Sequence, residues 1–276
     1  MDAEPLTNVM YLTSAYDAVT EEGQCHICLR KGKMTQEHIP PKNAFNGSTA
    51  LWDRLVIPER ASKSAHQVRL RGGFRVRTIC RNCNNELCSP YANAYVQFVR
   101  HLVESPKLFD SSGSARLIQI PCDTLLLAKQ IATMILAIQQ LSYAKHNAGL
   151  REFVLNKEST YQPSFRVYAF LVPEVPEAGT ITRFHGRVET FAPGYGFFGG
   201  EMSWFPFGFV YASQIGRKYD LKRFEDITRW FTMADTTDRN RDVVKLHCRV
   251  TGVDSIQGGL GKRRVRPQID YIASVT

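Results

Sequence analysis

Two Cys-x-x-Cys pairs constrain this chain more than anything else in it: Cys25-His26-Ile27-Cys28 and Cys80-Arg81-Asn82-Cys83. Each pair places two sulfurs within one tight turn, which is half of a tetrahedral site for a soft ion such as zinc. The loop between them is long, but closure entropy grows only logarithmically with length, so the separation is no obstacle. Any fold of this chain is therefore expected to bring these two turns together. Four thiolates fill a tetrahedral ion and leave no open position, so zinc on Cys25, Cys28, Cys80 and Cys83 reads as structural. Of the other cysteines, Cys88, Cys122 and Cys248 are scattered, and Cys88 reads as a buried thiol rather than a spare ligand. Cysteines in metal spacing suit a reducing compartment, and a cytoplasmic setting is expected. The start Met1-Asp2-Ala3-Glu4 has no apolar run after a basic segment, so no signal peptide is expected.

The chemistry must sit on what the zinc holds. Between the pairs lies Gln36-Glu37-His38-Ile39-Pro40-Pro41, and Asn84 directly follows the second pair. A neutral histidine has a pKa close to the working pH and can take a proton from water. A carboxylate and an amide oxygen suit a hard divalent cation. Adjacent strand residues face opposite ways, so Glu37 and His38 can serve one site only where the strand twists or ends. Pro40-Pro41 supplies that end.

This combination resembles the HNH (ββα-metal) endonuclease family, in its version stapled by two Cys-x-x-Cys knuckles. The resemblance covers about residues 20–105. It implies an α+β architecture that begins with a zinc-stapled, treble-clef-like nuclease module. It also implies that Glu37 and Asn84 bind a catalytic Mg2+ or Mn2+, that His38 is the general base, and that nucleic-acid phosphodiesters, those of double-stranded DNA first, are hydrolysed. The family serves in restriction, phage defence and mobile elements. Its middle asparagine, which orients the base, is matched nearest by Asn43 or Asn46. The span from His38 to Cys80 is longer than in the family, so residues 42–67 read as an insertion. A homodimer would set two such sites against two strands. The alternative is a non-catalytic zinc-knuckle protein that binds nucleic acid, in which Glu37-His38 is incidental.

The surroundings are basic. From Arg54 to Arg81 there are eight Lys or Arg against one acid, Glu59, and the net charge is +9, which suits a polyanion. Val68 to Arg77 alternates apolar and basic residues about Gly72-Gly73, which predicts a hairpin with Arg69, Arg71, Arg75 and Arg77 on one face against a nucleic-acid backbone. A helix is expected to start near Pro90, capped by Ser89, with Asn84 on a separate turn before it. Residues 1–24 read as a lead-in, with a short helix from Ala15 to Glu22. Residues 106–122, with Ser111-Ser112-Gly113-Ser114, read as a linker between a 1–105 nuclease part and a 123–276 α+β part.

The second part should open with a long helix capped by Asp123 and running to about Asn147. Lys129, Gln130, Gln139 and Gln140 exclude a membrane span there. A short helix over Leu150–Asn156 and an antiparallel sheet should follow, with strands at Phe165–Val172, Thr180–Phe191, Trp204–Ala212 and Val243–Val250. Phe224–Thr232 reads as a helix between strands. Trp204 to Phe209 is aromatic enough to stack bases but reads first as core. The glycine-aromatic loop Pro193–Gly200 lacks the spacing of a nucleotide-binding motif. Lys262 to Arg266 is a second basic cluster. No family is recognised for residues 120–276, so their role stays open between targeting, sensing and dimerisation.

Overall fold

The computed structural model describes residues 21–47, 50–53, 67–70, 72–105, 116–172, 179–181, 185–187, 197–215, 224–233, 244–248 and 270–274. The Lys262–Arg266 cluster, Ser111–Ser114, residues 193–196 of the glycine-aromatic loop and residues 15–20 of the expected first helix lie outside them.

The chain opens with β1 (Glu22–Gln24) and β2 (Lys31–His38), then β3 (Ala50–Asp53), β4 (Gln67–Leu70) and β5 (Arg75–Cys80). A π-helical stretch, Asn82–Leu87, leads into α1 (Ser89–Glu104), which has Pro90 in its first turn. β6 (Arg116–Ile120) falls within the stretch read as linker. Next come α2 (Thr124–Ile138), α3 (Leu141–His146) and α4 (Ala148–Leu155). The remaining strands are β7 (Arg166–Leu171), β8 (Gly179–Ile181), β9 (His185–Arg187), β10 (Phe197–Trp204), β11 (Phe207–Ile215), β12 (Glu225–Asp226), β13 (Val244–Cys248) and β14 (Asp270–Ser274). The chain is thus α+β, and every strand pairing among the described residues is antiparallel.

A small sheet, ordered β1-β2-β5, carries the cysteine turns. A larger sheet is ordered β12-β7-β11-β10-β8-β14-β3-β4, with β9 also on β10. β13 and β6 pair separately. This overturns the expected hairpin. β4 pairs with β3 and β5 with β2, so the two arms flanking Gly72-Gly73 belong to different sheets. Alternation fixes which side of a strand is apolar but not which strand is its neighbour.

α2 lies at the centre. Every residue of it except Leu126 is buried, and it packs on α1, α4, β5 and the 3-10 turn Thr228–Phe231. Asp123 caps it as expected, accepting from Leu126 N at 3.0 Å. The helix stops nine residues before Asn147 because Gln139 turns to an extended backbone (ψ 167°) and donates to the buried Tyr211 hydroxyl at 2.5 Å. Phe224–Thr232 is likewise not a helix but β12 and the 3-10 turn. No helix of the described residues is long and apolar enough to cross a membrane.

Lys129 is fully buried on α2. Its Nζ donates to Phe153 O, to Asn156 O at 2.8 Å and to Ser159 O at 3.0 Å. These carbonyls lie at and just after the C-terminal end of α4, where the helix dipole favours a cation. Lys129→Met fits the volume but leaves these acceptors without their donor, at about 1–3 kcal/mol each. The variant is expected to be less stable by about 3 kcal/mol in urea unfolding. Unchanged stability would mean that water replaces the ammonium.

Candidate active site

The sulfurs of Cys25, Cys28, Cys80 and Cys83 all lie within 4.8 Å of one another. A tetrahedral ion with sulfurs at about 2.3 Å sets them about 3.8 Å apart, and Cys28 and Cys80 are at 3.8 Å. Cys80 N also points at Cys25 Sγ, at 3.4 Å. The Cys83 thiol, hydrogen-bonded to the Cys25 sulfur, draws the Cys25 pKa down to about 4. The same bond pushes Cys83 up, and burial pushes Cys28 up. A thiolate among three further sulfurs is a donor set for a soft cation, so this cluster could bind a zinc ion. Cys88 stays apart, buried and accepting from Thr133 Oγ1 at 3.8 Å.

Farther along the β2–β5 pair, a register shift between Thr35 and Glu37 breaks the regular alternation, and β2 ends at His38. Glu37 and His38 therefore both line one cleft of about 370 Å3, with Pro41, Lys42, Asn84, Asn85, Ser89 and Ala92. Asn84, on the π-helical stretch after Cys83, donates from Nδ2 to Thr35 Oγ1 at 2.9 Å and hydrogen-bonds to Glu37. Burial pushes the Glu37 carboxyl up to about 7, against the pull of that bond.

His38 Nε2 lies 2.9 Å from Gly72 O. A carbonyl can only accept, so Nε2 carries the hydrogen and the neutral ring keeps a lone pair on Nδ1. Burial lowers the His38 pKa, and Arg75 and Lys42 add to that, against the Gly72 carbonyl, which raises it. The ring is therefore neutral at pH 7.

Asn46 braces the chain beside this carbonyl. It is fully buried, donates to Pro40 O at 2.7 Å and Phe74 O at 3.0 Å, and accepts from Phe74 N at 2.8 Å. Gly73, at φ +89°, lies so close that a Cβ there would meet Asn46 O at 2.1 Å. Gly72 is also left-handed, at φ +78°. Gly73 is thus a close approach to Asn46, and the pair is not the tip of a hairpin. Of the two candidate asparagines, Asn46 is the one that clamps; Asn43 is exposed.

The arginines do not share one face. Arg75 is exposed beside His38 and donates to Gln36 Oε1 at 2.8 Å. Arg77 is half-buried, and its Nε has no hydrogen-bond partner among the described residues. Arg69 lies on β4 in the other sheet, and Arg71 falls outside the described residues. Lys42, Asn85 and Ser89 were missed as cleft residues. Their one sequence signal is proximity, just after Pro40-Pro41 and just after Asn84.

Compared with family models, with curated proteins and with solved structures, the chain finds no match.

Glu37 carries a stability cost of defined pH dependence. Its folded pKa of about 7 exceeds the ordinary 4.5, so the protein loses stability as pH rises from about 4.5 through 7. Glu37→Gln removes that cost. In magnesium-free buffer the variant should match wild type near pH 4.5 and exceed it by on the order of 2 kcal/mol at pH 8. Equal thermal unfolding of the two at pH 8 would contradict the buried carboxylate.

Proposed function

We propose that the chain is a metal-dependent, HNH-type endonuclease that hydrolyses nucleic-acid phosphodiesters, with DNA as its expected substrate. The observation that carries the reading is the meeting of Glu37, His38 and Asn84 on one cleft beside the four-cysteine cluster. Two antiparallel strands, β2 and β5, followed by a helix support the ββα reading.

His38 takes the proton of the attacking water through Nδ1, because Gly72 fixes the hydrogen on Nε2. Its depressed pKa keeps it in the basic form at neutral pH. Glu37 and Asn84 would hold the divalent ion, an oxygen donor set suited to Mg2+ or Mn2+. The cleft fits a cation, because the burial that lifts Glu37 to about 7 is relieved by a positive charge beside it. Such an ion, when bound, neutralises charge on the phosphate and the leaving oxygen. Lys42 and Arg75 add positive charge for the backbone phosphates. Zinc on Cys25, Cys28, Cys80 and Cys83 staples β5 to the first turn and contributes on the order of 10 kcal/mol of folding free energy.

The test is supercoiled-plasmid cleavage with Mg2+ or Mn2+, comparing wild type with His38→Ala at equal zinc content. Wild type is expected to nick or linearise the plasmid, and the variant to be slower by about a hundred-fold or more. Undiminished cleavage by the variant would remove His38 as the base. Binding without cleavage by wild type would favour the non-catalytic zinc-knuckle reading. Metal analysis should give about one zinc per chain, and Cys83→Ser should lose it together with cooperative unfolding. A zinc-free protein of unchanged stability would rule out the staple.

A further inference from the structure

Phe45 is the residue of the site loop whose conformation its own chemistry explains least. It is an aromatic residue at φ 65°, a backbone region that costs a side chain free energy to enter. It is also 41% exposed, whereas its neighbours Ala44 and Asn46 are 1% and 0%. Strain of this kind persists only where the surroundings impose it. Here they do: Ala44 N donates to Pro41 O at 2.8 Å, Asn46 is clamped on both sides, and Phe45 O accepts from Trp204 Nε1 at 3.3 Å. The ring meets Phe205 edge to face, with centroids 5.2 Å apart and planes at 72°. Phe205 sits in the turn between β10 and β11 and so belongs to the large sheet. Two distant segments thus converge to fix one aromatic ring and leave much of it in solvent.

We propose that Phe45, braced by Phe205, is a stacking platform for a nucleobase flanking the phosphate bound at the Glu37–His38 cleft. The inference rests on the endonuclease reading of that cleft and adds the substrate's form. Phe45 lies on the same turn as Lys42, a cleft residue, so a strand whose phosphate sits beside Lys42 carries its next bases past the ring. The occupant is anionic and planar: Lys42, on the same turn as the ring, and Arg75, beside His38, supply positive charge at the cleft, and the chain as a whole is at +9. A base can stack on a side chain only when its face is not covered by its own neighbour in a duplex. The preferred substrate is therefore a strand with unpaired bases at the cut, either single-stranded or opened there.

The test uses the full chain with His38→Ala, so that strands stay intact. Affinity is measured by fluorescence anisotropy for a single-stranded oligodeoxynucleotide and for the same-length strand of abasic residues. The base-bearing strand should bind roughly 5- to 150-fold tighter per stacked base. Phe45→Asn and Phe205→Leu should each bring that ratio down toward one, and Phe45→Tyr should keep it. Asparagine tolerates the left-handed backbone, so Phe45→Asn should unfold no earlier than its parent and lose only the ring. A ratio unchanged in both variants overturns the platform while leaving His38-dependent plasmid cleavage intact. If instead the wild-type protein, with His38 in place, neither binds nor cuts nucleic acid, the endonuclease reading falls and the platform with it. Duplex bound more tightly than single strand, with no effect of either ring, also overturns it.

Discussion

Both Cys-x-x-Cys turns take their orientation from the C-terminal end of α2. The last carbonyls of a helix have no partners within it. At this end Ile135 O accepts from Gln139 N at 3.1 Å, Leu136 O from His26 Nδ1 at 2.9 Å, and Ala137 O from Thr78 Oγ1 at 2.9 Å. His26 stands between Cys25 and Cys28, and Thr78 stands on β5 just before Cys80. The buried helix therefore anchors both cysteine turns, and the turns anchor β2 against β5. The cleft lies on that same strand pair, so its geometry depends on a helix that contributes no residue to it. Pulling the helix end away would leave buried carbonyls unpaired, at about 1–3 kcal/mol each. The main hydrophobic cluster of the described residues accordingly draws on both parts of the chain, from Cys25 to Phe231.

Local chemistry was readable from sequence, and pairing was not. The four cysteines, the end of β2 at the prolines, the Asp123 cap and the separate turn carrying Asn84 all follow from residue type at fixed spacing, and all appear. The fate of Gly72-Gly73 did not follow. The same dipeptide that would suit a tight hairpin also suits a close approach to Asn46, and only the partner, distant in sequence, decides between them. The break at Gln139 has the same origin, because its partner Tyr211 is far away in the chain. Lys129 was legible as an obstacle to a membrane span, but its burial depends on α4 and its trailing carbonyls. The meeting of Glu37, His38 and Asn84 on one cleft was findable because these residues sit beside zinc-ligand spacing. Lys42, Asn85 and Ser89 carried no comparable mark.

The cleft owes its electrostatics to one cause acting on two groups. Burial disfavours charge on either kind of side chain, so it lifts Glu37 and lowers His38. Both residues are driven toward neutrality at the same pH. For His38 that is the form a base needs. For Glu37 it is a cost, since an uncharged carboxyl is a poor ligand for a hard cation. A divalent ion beside Glu37 would resolve the conflict: it would favour the carboxylate and further disfavour the imidazolium. In the proposed reading the cleft is therefore pre-set for the loaded state rather than for the empty one, in keeping with the stability that Glu37 takes from the fold.

The loop from Ile39 to Gly47 is fixed at three of its residues, from two sides. Asn46 ties it to Phe74, Ile39 N donates to Phe74 O at 3.1 Å, and Trp204 reaches it from β10. A loop that only connected two strands would need none of these bonds. A base must be held within about 0.5 Å of its working position, and side chains on free loops are not. The large sheet reaches this loop through side chains at Trp204 and, in the turn after β10, Phe205. Its structural duty at the site is therefore specific. It sets the far end of the loop whose near end adjoins His38, and in the proposed reading a ligand on Phe45 would bear on the geometry of His38 through Asn46.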